Sequence, residues 1–368
     1  MKGRRYPLGI QTFKNVIEGN YVYVDKTELI YELVHENKYC FLSRPRRFGK
    51  SLLVTTLQAY FEGKKNLFKG LAIDRMETEW ISYPVLHFDI SKGKYYSLSN
   101  LMSTLNVVIS PYEELYNLTP DKSDDFNVRI INIIKAAKQQ TGKNVVVLID
   151  EYDCPMHDSM KDEKLQEQIR DIMRNFFSPL KSEEDNLQFV FMTGISKFSQ
   201  LSIFSELNNI TNISMEDEYS SICGISKEEL LEDFHDDIED LAKAQNMTFD
   251  EAVAQLKFHY DGYHFSGNGA DMFNPYSLLN TFRLNKFNSY WFSTGTPTFL
   301  IELLKQKGID MLQMEDIWTN SDRFDTPTKK ITDPIPVLYQ SGYLTIKDYI
   351  DMADSYKLAF PNEEVRKG

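Results

Sequence analysis

Two short stretches hold the residues able to do chemistry. Arg44-Pro45-Arg46-Arg47-Phe48-Gly49-Lys50-Ser51 is one glycine short of the phosphate loop G-x-x-x-x-G-K-[ST], with Arg44 in the first glycine's place. Asp150-Glu151 closes an apolar run, VVVLID. In a phosphate loop, backbone N–H groups cradle the anion and the free N–H groups of the next helix face it. Lys50 then reaches the β- and γ-phosphates, Ser51 places its hydroxyl on Mg²⁺, and Gly49 allows close backbone approach. Asp150 is the second candidate metal ligand, directly or through water. Glu151 is the candidate base for an attacking water. Phosphoryl transfer needs mainly positioning and charge neutralisation, so this set suffices. Thr193 and Ser196, in FVFMTGIS, are weaker candidates for sensing the γ-phosphate, because a turn hydroxyl often serves only backbone.

Positioning these groups requires a strand before each and a helix after the loop. YCFLS at 39–43 delivers the chain to the loop, and a helix over 51–62 follows, with Gly63 as its stop. Further strands are expected at 85–91, 145–150 and 189–193, with a weaker one at 210–214. These runs are continuously apolar, as in a parallel sheet covered on both faces. Helices are expected within 98–140 and at 164–180, giving an α/β alternation. Beyond residue 220 the pattern turns helical, at 226–244 and 248–259, each opening on a capping box: Ser226 with Glu229 and Thr248 with Glu251. Helices near 275–285 and 297–306 follow. A small mixed segment closes the chain, with strands expected at 335–338, 344–346 and 356–360. The acidic run at 232–240 reads as a solvated helix face.

Arg44 precedes proline, which pushes it toward extended backbone, so the loop enters by a bend other than the usual glycine one. The nucleotide is expected against Arg44, Pro45, Arg46, Arg47, Phe48, Gly49, Lys50, Ser51 and Leu52. The arginines either face the phosphates or brace the loop against other groups.

Composition narrows the alternatives. The 368 residues carry a net charge of −13 and are 42% hydrophobic, which suits a folded, acidic, multidomain chain. Acidity disfavours nucleic acid except at a local basic patch. Arg4, Arg5, Arg44, Arg46, Arg47 and Lys50 could form one, though a basic patch around such a loop more often serves a nucleotide, and Lys329, Lys330 and Lys347 in the C-terminal part are too meagre for DNA. Cys40, Cys154 and Cys223 form no C-x-x-C pair, so a zinc site is not expected, and the sparse count suits a reducing cytoplasm. No signal peptide or membrane span is expected. The six histidines form no metal motif, and His157 reads as a surface residue.

PLGIQTFKNV, NYVYVDKTELIYELV, the loop itself, LIDEYDCP, YDGYHFSGNGADMFNPYSLLN, YWFSTGTPTFLIELLK and LYQSGYLTIKDY together resemble the AAA-ATPase-like family of bacterial proteins, over nearly the whole chain. In that family the R-P-R-R-F-G-K-S loop is the usual form. The family is similar to the STAND group of AAA+ ATPases. The resemblance implies ATP and Mg²⁺ as ligands, a P-loop NTPase core over 1–220, a helical lid over 221–306 and a winged-helix-like domain over 307–368. It places Gly295 and Pro297 near the nucleotide, as the G-x-P element opening a lid helix, and Tyr23-Val24-Asp25-Lys26-Thr27 near the base. It also implies a PD-(D/E)xK nuclease-like domain after residue 368, or self-association, as the partner of an ATP-driven switch. Glu62-Gly63-Lys64 and Asp162-Glu163-Lys164 are not expected to be nuclease sites. The second reading is a nucleotide-holding scaffold without turnover, whose C-terminal part binds DNA or protein.

Overall fold

The computed structural model describes residues 4–119, 125–197, 210–292, 304–305, 308, 315–324 and 333–368. β1 (Tyr39–Ser43), β2 (Val85–Asp89), β3 (Val145–Asp150), β4 (Leu187–Gly194) and β5 (Thr211–Asn212) form one parallel sheet in the order β2-β3-β4-β1-β5. β4 lies between the phosphate-loop strand and the acid-pair strand, so both strands end on the same edge, one strand apart. This C-terminal edge is where parallel sheets present ligands with side chains.

Both sheet faces are buried, which accounts for the unbroken apolar runs. Cys40, Leu42, Val146, Leu148, Phe189 and Phe191 join one core with the Lys50–Phe61 helix and the C-terminal segment. Tyr39, Phe41, Val145, Val147, Ile149 and Met192 join the other, under the Leu98–Leu115, Phe126–Thr141 and Glu163–Phe177 helices. The Lys50–Phe61 helix ends as its sequence dictates: Gly63 takes φ +69°, a left-handed turn where glycine costs least.

A third core belongs to the helices Lys227–Asp233, His235–Gln245, Phe249–Tyr260 and Pro275–Leu284, with Tyr6, Leu8, Val22 and Val24 packed against it. Both capping boxes form. The acidic run breaks at Phe234 into two helices, and it is not wholly solvated. Asp237 is buried, accepting hydrogen bonds from Arg4 and from Tyr6 at 2.5 Å.

The C-terminal segment carries an antiparallel sheet of β6 (Ile317–Thr319), β8 (Ser355–Ala359) and β7 (Thr345–Ile350), with β8 central. The strand expected at 335–338 is instead the Ile335–Gln340 helix. Pro336 explains the difference: it fits the first turn of a helix and cannot donate to a strand ladder. The helix expected at 297–306 lies almost wholly outside the described residues.

Candidate functional site

Lys50 begins the helix after β1, directly beyond the left-handed Gly49 (φ +96°). Its ammonium is buried, donating to the carbonyls of Arg44 (3.0 Å) and Pro45 (3.2 Å) and standing 3.4 Å from Glu151 Oε1. Glu151 follows β3 with φ +53°, an uncommon and strained conformation for a non-glycine residue. That turn aims its carboxylate at the loop rather than along the strand. Asp150 is buried beside them, with the Ser51 hydroxyl close enough to its carboxylate to favour the charged form. Burial, then the neighbouring Glu151 charge, pushes the Asp150 pKa up to about 7.

The Asp150 Oδ1 atom is buried without a hydrogen-bond partner. A buried carboxylate oxygen normally finds one. A hydroxyl and an unsatisfied carboxylate side by side are the hard oxygen donors that Mg²⁺ takes. Ser51 and Asp150 therefore fit that ion.

Lys50, Ser51 and Glu151 line a cleft of about 430 Å³, while Asp150 is buried outside its lining. The cleft's other lining residues are Arg46, Arg47, Gly49 and Leu52 of the loop and its helix, residues 7–11, the start of the Pro275–Leu284 helix, and Ser91, Lys94 and Cys154. An apolar slot of about 100 Å³ adjoins it, sharing Pro7, Gly49, Leu52, Pro275 and Leu279. Tyr23, Val24, Lys26 and Phe48 line the slot. Of the segment expected near the base, Asp25 and Thr27 have other work. They hold the backbone N–H groups of Ala72 and Ile73, at 2.7 and 3.1 Å.

Several expectations are corrected. Arg44 does not face the cleft. Its guanidinium is fully buried, donates to the carbonyls of Ser43, Ser214 and Tyr219, and lies 4.2 Å over the Phe265 ring. Nor does Arg44 take a positive φ, so glycine's freedom is not needed there; the left-handed turns fall at Arg47 and Gly49. Pro45 packs beneath Gly342 and contributes only its carbonyl to the site. Arg46 and Arg47 do face the cleft, Arg47 over the Tyr276 ring.

Thr193 and Ser196 are buried and do not line the cleft. Thr193 donates to the Leu42 carbonyl, tying β4 to β1. Ser196 donates to Asp153 Oδ2 (3.0 Å) and meets His157 Nε2 at 2.8 Å. His157 is thus buried rather than a surface residue. It belongs to a polar cluster that ties the turn after β3 to the end of β4. Gly295 and Pro297 lie outside the described residues. Lys347 is spent internally on the carbonyls of Gly262 and Pro361.

The cleft residues missed in sequence, Pro7 to Gln11, Ser91, Lys94, Cys154 and Tyr276, come from four separate segments. The only advance signal was their membership of motif-like stretches, such as PLGIQ and NPYSLLN.

A family model described as "Predicted AAA-ATPase" matches residues 7–204, which include Lys50, Ser51, Asp150 and Glu151. The chain belongs to this AAA-ATPase-like family. An Azotobacter chroococcum mcd 1 protein, described as an uncharacterized protein in the vnfD 5' region, is 33% identical over 371 residues, covering 100% of this chain and 69% of that protein. For the AAA-ATPase-like chain, the parallel sheet flanked by helices is the expected P-loop NTPase architecture. Among the described residues, no helix is long and apolar enough to cross a membrane.

Proposed function

We propose that the protein binds ATP with Mg²⁺ and hydrolyses it, using the state of the loop to control its C-terminal part. One observation carries the reading: Lys50, Ser51 and Glu151 line one cleft, and the adjacent buried Asp150 has an oxygen without a partner among the described residues. The adjoining apolar slot suits a base, and the cleft suits a polyphosphate.

In this reading Lys50 leaves the loop carbonyls for the β- and γ-phosphates, and Ser51 and Asp150 hold Mg²⁺. The ion, when bound, neutralises phosphate charge. Glu151 accepts a proton as water forms its bond to the γ-phosphorus. The bond from that phosphorus to the β-phosphate oxygen breaks, leaving ADP and phosphate.

Coupling to the C-terminal part is supported by direct contacts. Trp291 Nε1 donates to the Arg46 carbonyl (3.0 Å), Gln340 Oε1 accepts from the Lys197 N–H (2.8 Å), and Gly342 presses on Pro45. Whether the controlled partner is an appended nuclease-like domain or a second copy of the chain, it would be driven through these contacts.

Phosphate release from ATP, measured on the purified protein with and without Mg²⁺, tests the reading. Glu151→Gln should retain ATP and lose release. Undiminished release in that variant would remove Glu151 from the role, and no ATP binding by the wild type would remove the function.

A further inference from the structure

β2 is the edge strand beside β3, so the segment after β2 arrives next to the Glu151 turn. That segment is firmly held. The Tyr95 side chain is fully buried, its hydroxyl donating to the Ile90 carbonyl and its backbone N–H to Asp158 Oδ2 at 3.2 Å. Gly93 fits so closely that a Cβ there would meet Thr104 Oγ1 at 2.4 Å and the Tyr95 ring at 2.8 Å. Between these anchors stands Lys94, exposed, lining the cleft that holds Lys50, Ser51 and Glu151.

Lys94 has no carboxylate partner among the described residues, in a chain whose net charge is −13. The other cations of the cleft, Arg46, Arg47 and Lys50, all ride on the phosphate loop. Among the described residues, Lys94 is the one cleft cation that comes from another element, the segment after β2, which neighbours the β3 strand that carries Glu151. A long side chain on a pinned backbone can reach a ligand without moving the fold. A terminal phosphate is the part of a nucleoside triphosphate that approaches Glu151, and a diphosphate lacks it.

We propose that Lys94 is a specificity-determining residue that contacts the terminal phosphate of the bound nucleotide within the same chain. It makes the site prefer a nucleoside triphosphate over a diphosphate. The inference rests on the nucleotide reading above. A second cation on the terminal phosphate, besides Lys50, also neutralises charge on the transferred phosphoryl group.

The test is titration of the full chain with fluorescently labelled ATP and ADP in Mg²⁺, comparing wild type, Lys94→Met and Lys94→Arg. Melting temperatures within about 2 °C would show that folding is intact, as expected for an exposed site. The expected result is roughly tenfold weaker ATP binding in Lys94→Met, ADP binding within about twofold of wild type, and most of the loss restored in Lys94→Arg. Equal weakening of both nucleotides, or of neither, overturns the assignment while leaving the nucleotide reading intact. A wild type that binds neither nucleotide overturns both.

Discussion

Lys50 Nζ and Glu151 Oε1 stand 3.4 Å apart, so the loop's cation and the candidate base hold each other. The same ammonium caps two loop carbonyls. An arriving polyphosphate must replace all three contacts, and only the carboxylate competes with it as an anion. Replacing Glu151 with glutamine removes that competition. Glu151→Gln should therefore bind ATP about three- to tenfold more tightly than wild type, a modest gain because the pair is partly solvated. Fluorescence titration with labelled ATP checks this. Weaker binding would mean that the carboxylate organises the loop rather than competing for Lys50.

Asp150 presents the opposite balance of stability and function. Its carboxylate is buried, raised in pKa and missing one partner. Such a group costs folding energy unless something binds it. Asp150→Asn should raise the stability of the ligand-free protein by about 1–2 kcal/mol, since a neutral amide costs less to bury. It should also abolish the Mg²⁺ dependence of ATP binding. Urea melts and titrations with and without EDTA separate the two effects.

Arg44 reads in the sequence as a damaged phosphate loop, and in the structure as its brace. Restoring the general glycine should therefore harm the protein. Arg44→Gly removes a buried guanidinium from three carbonyls and a ring face, taking a donor from each carbonyl, although Tyr219 keeps the Ile222 N–H. The expected cost is about 3–4 kcal/mol, seen as a lowered urea midpoint. Arg44→Lys should recover little of it, because a point ammonium cannot span Ser214 and Tyr219 as the planar fork does.

How far each feature was legible follows from how local its cause is. β1 and β3 lie at the residues expected, because burial on both faces writes an unbroken apolar run into adjacent positions. The capping boxes are likewise complete within four residues. Lys50, Ser51, Asp150 and Glu151, whose roles are proposals, stand out in the sequence because two short motifs each join a strand to a local chemical pattern. The orientation of Arg44 does not, because Ser214, Tyr219 and Phe265 are remote in sequence. His157 reads as a surface residue, and Lys94 is not placed at the phosphate cleft, for the same reason: one is buried against Ser196 and the other lines the cleft only once β2, β3 and β4 are aligned. The helix at Ile335 was misread on a four-residue apolar run, too short to carry a period.

Gly342 tests the contact between the C-terminal part and the loop. It takes φ +85°, and a Cβ there would lie 2.7 Å from the Pro45 ring. Gly342→Ala pays twice, in backbone strain and in a clash with the residue that begins the loop. About 2 kcal/mol of stability and several-fold of ATP affinity should be lost. Unchanged affinity in a stably folded variant would disconnect the two parts.

Glu364 gives the fold a pH dependence that can be isolated. It is buried on the C-terminal helix, accepts from the Ser277 hydroxyl at 2.7 Å and the Trp291 N–H at 2.8 Å, and so holds the backbone of the tryptophan whose ring nitrogen donates to the loop. Burial pushes its pKa from 4.5 up to about 7, although those hydrogen bonds favour the charged form. The native state then holds this proton more tightly than the unfolded chain, so the contribution is full below about pH 4.5 and is lost as pH rises through about 7. The loss is on the order of 3 kcal/mol. Glu364→Gln has no proton to lose. Its stability curve, from urea melts between pH 4.5 and 8, should fall less steeply than the wild type's across that window. Subtracting the two curves removes the shared contributions of Asp150 and Asp261, whose pKa values burial also raises. Parallel curves would mean that Glu364 is ionised in the folded protein throughout the range.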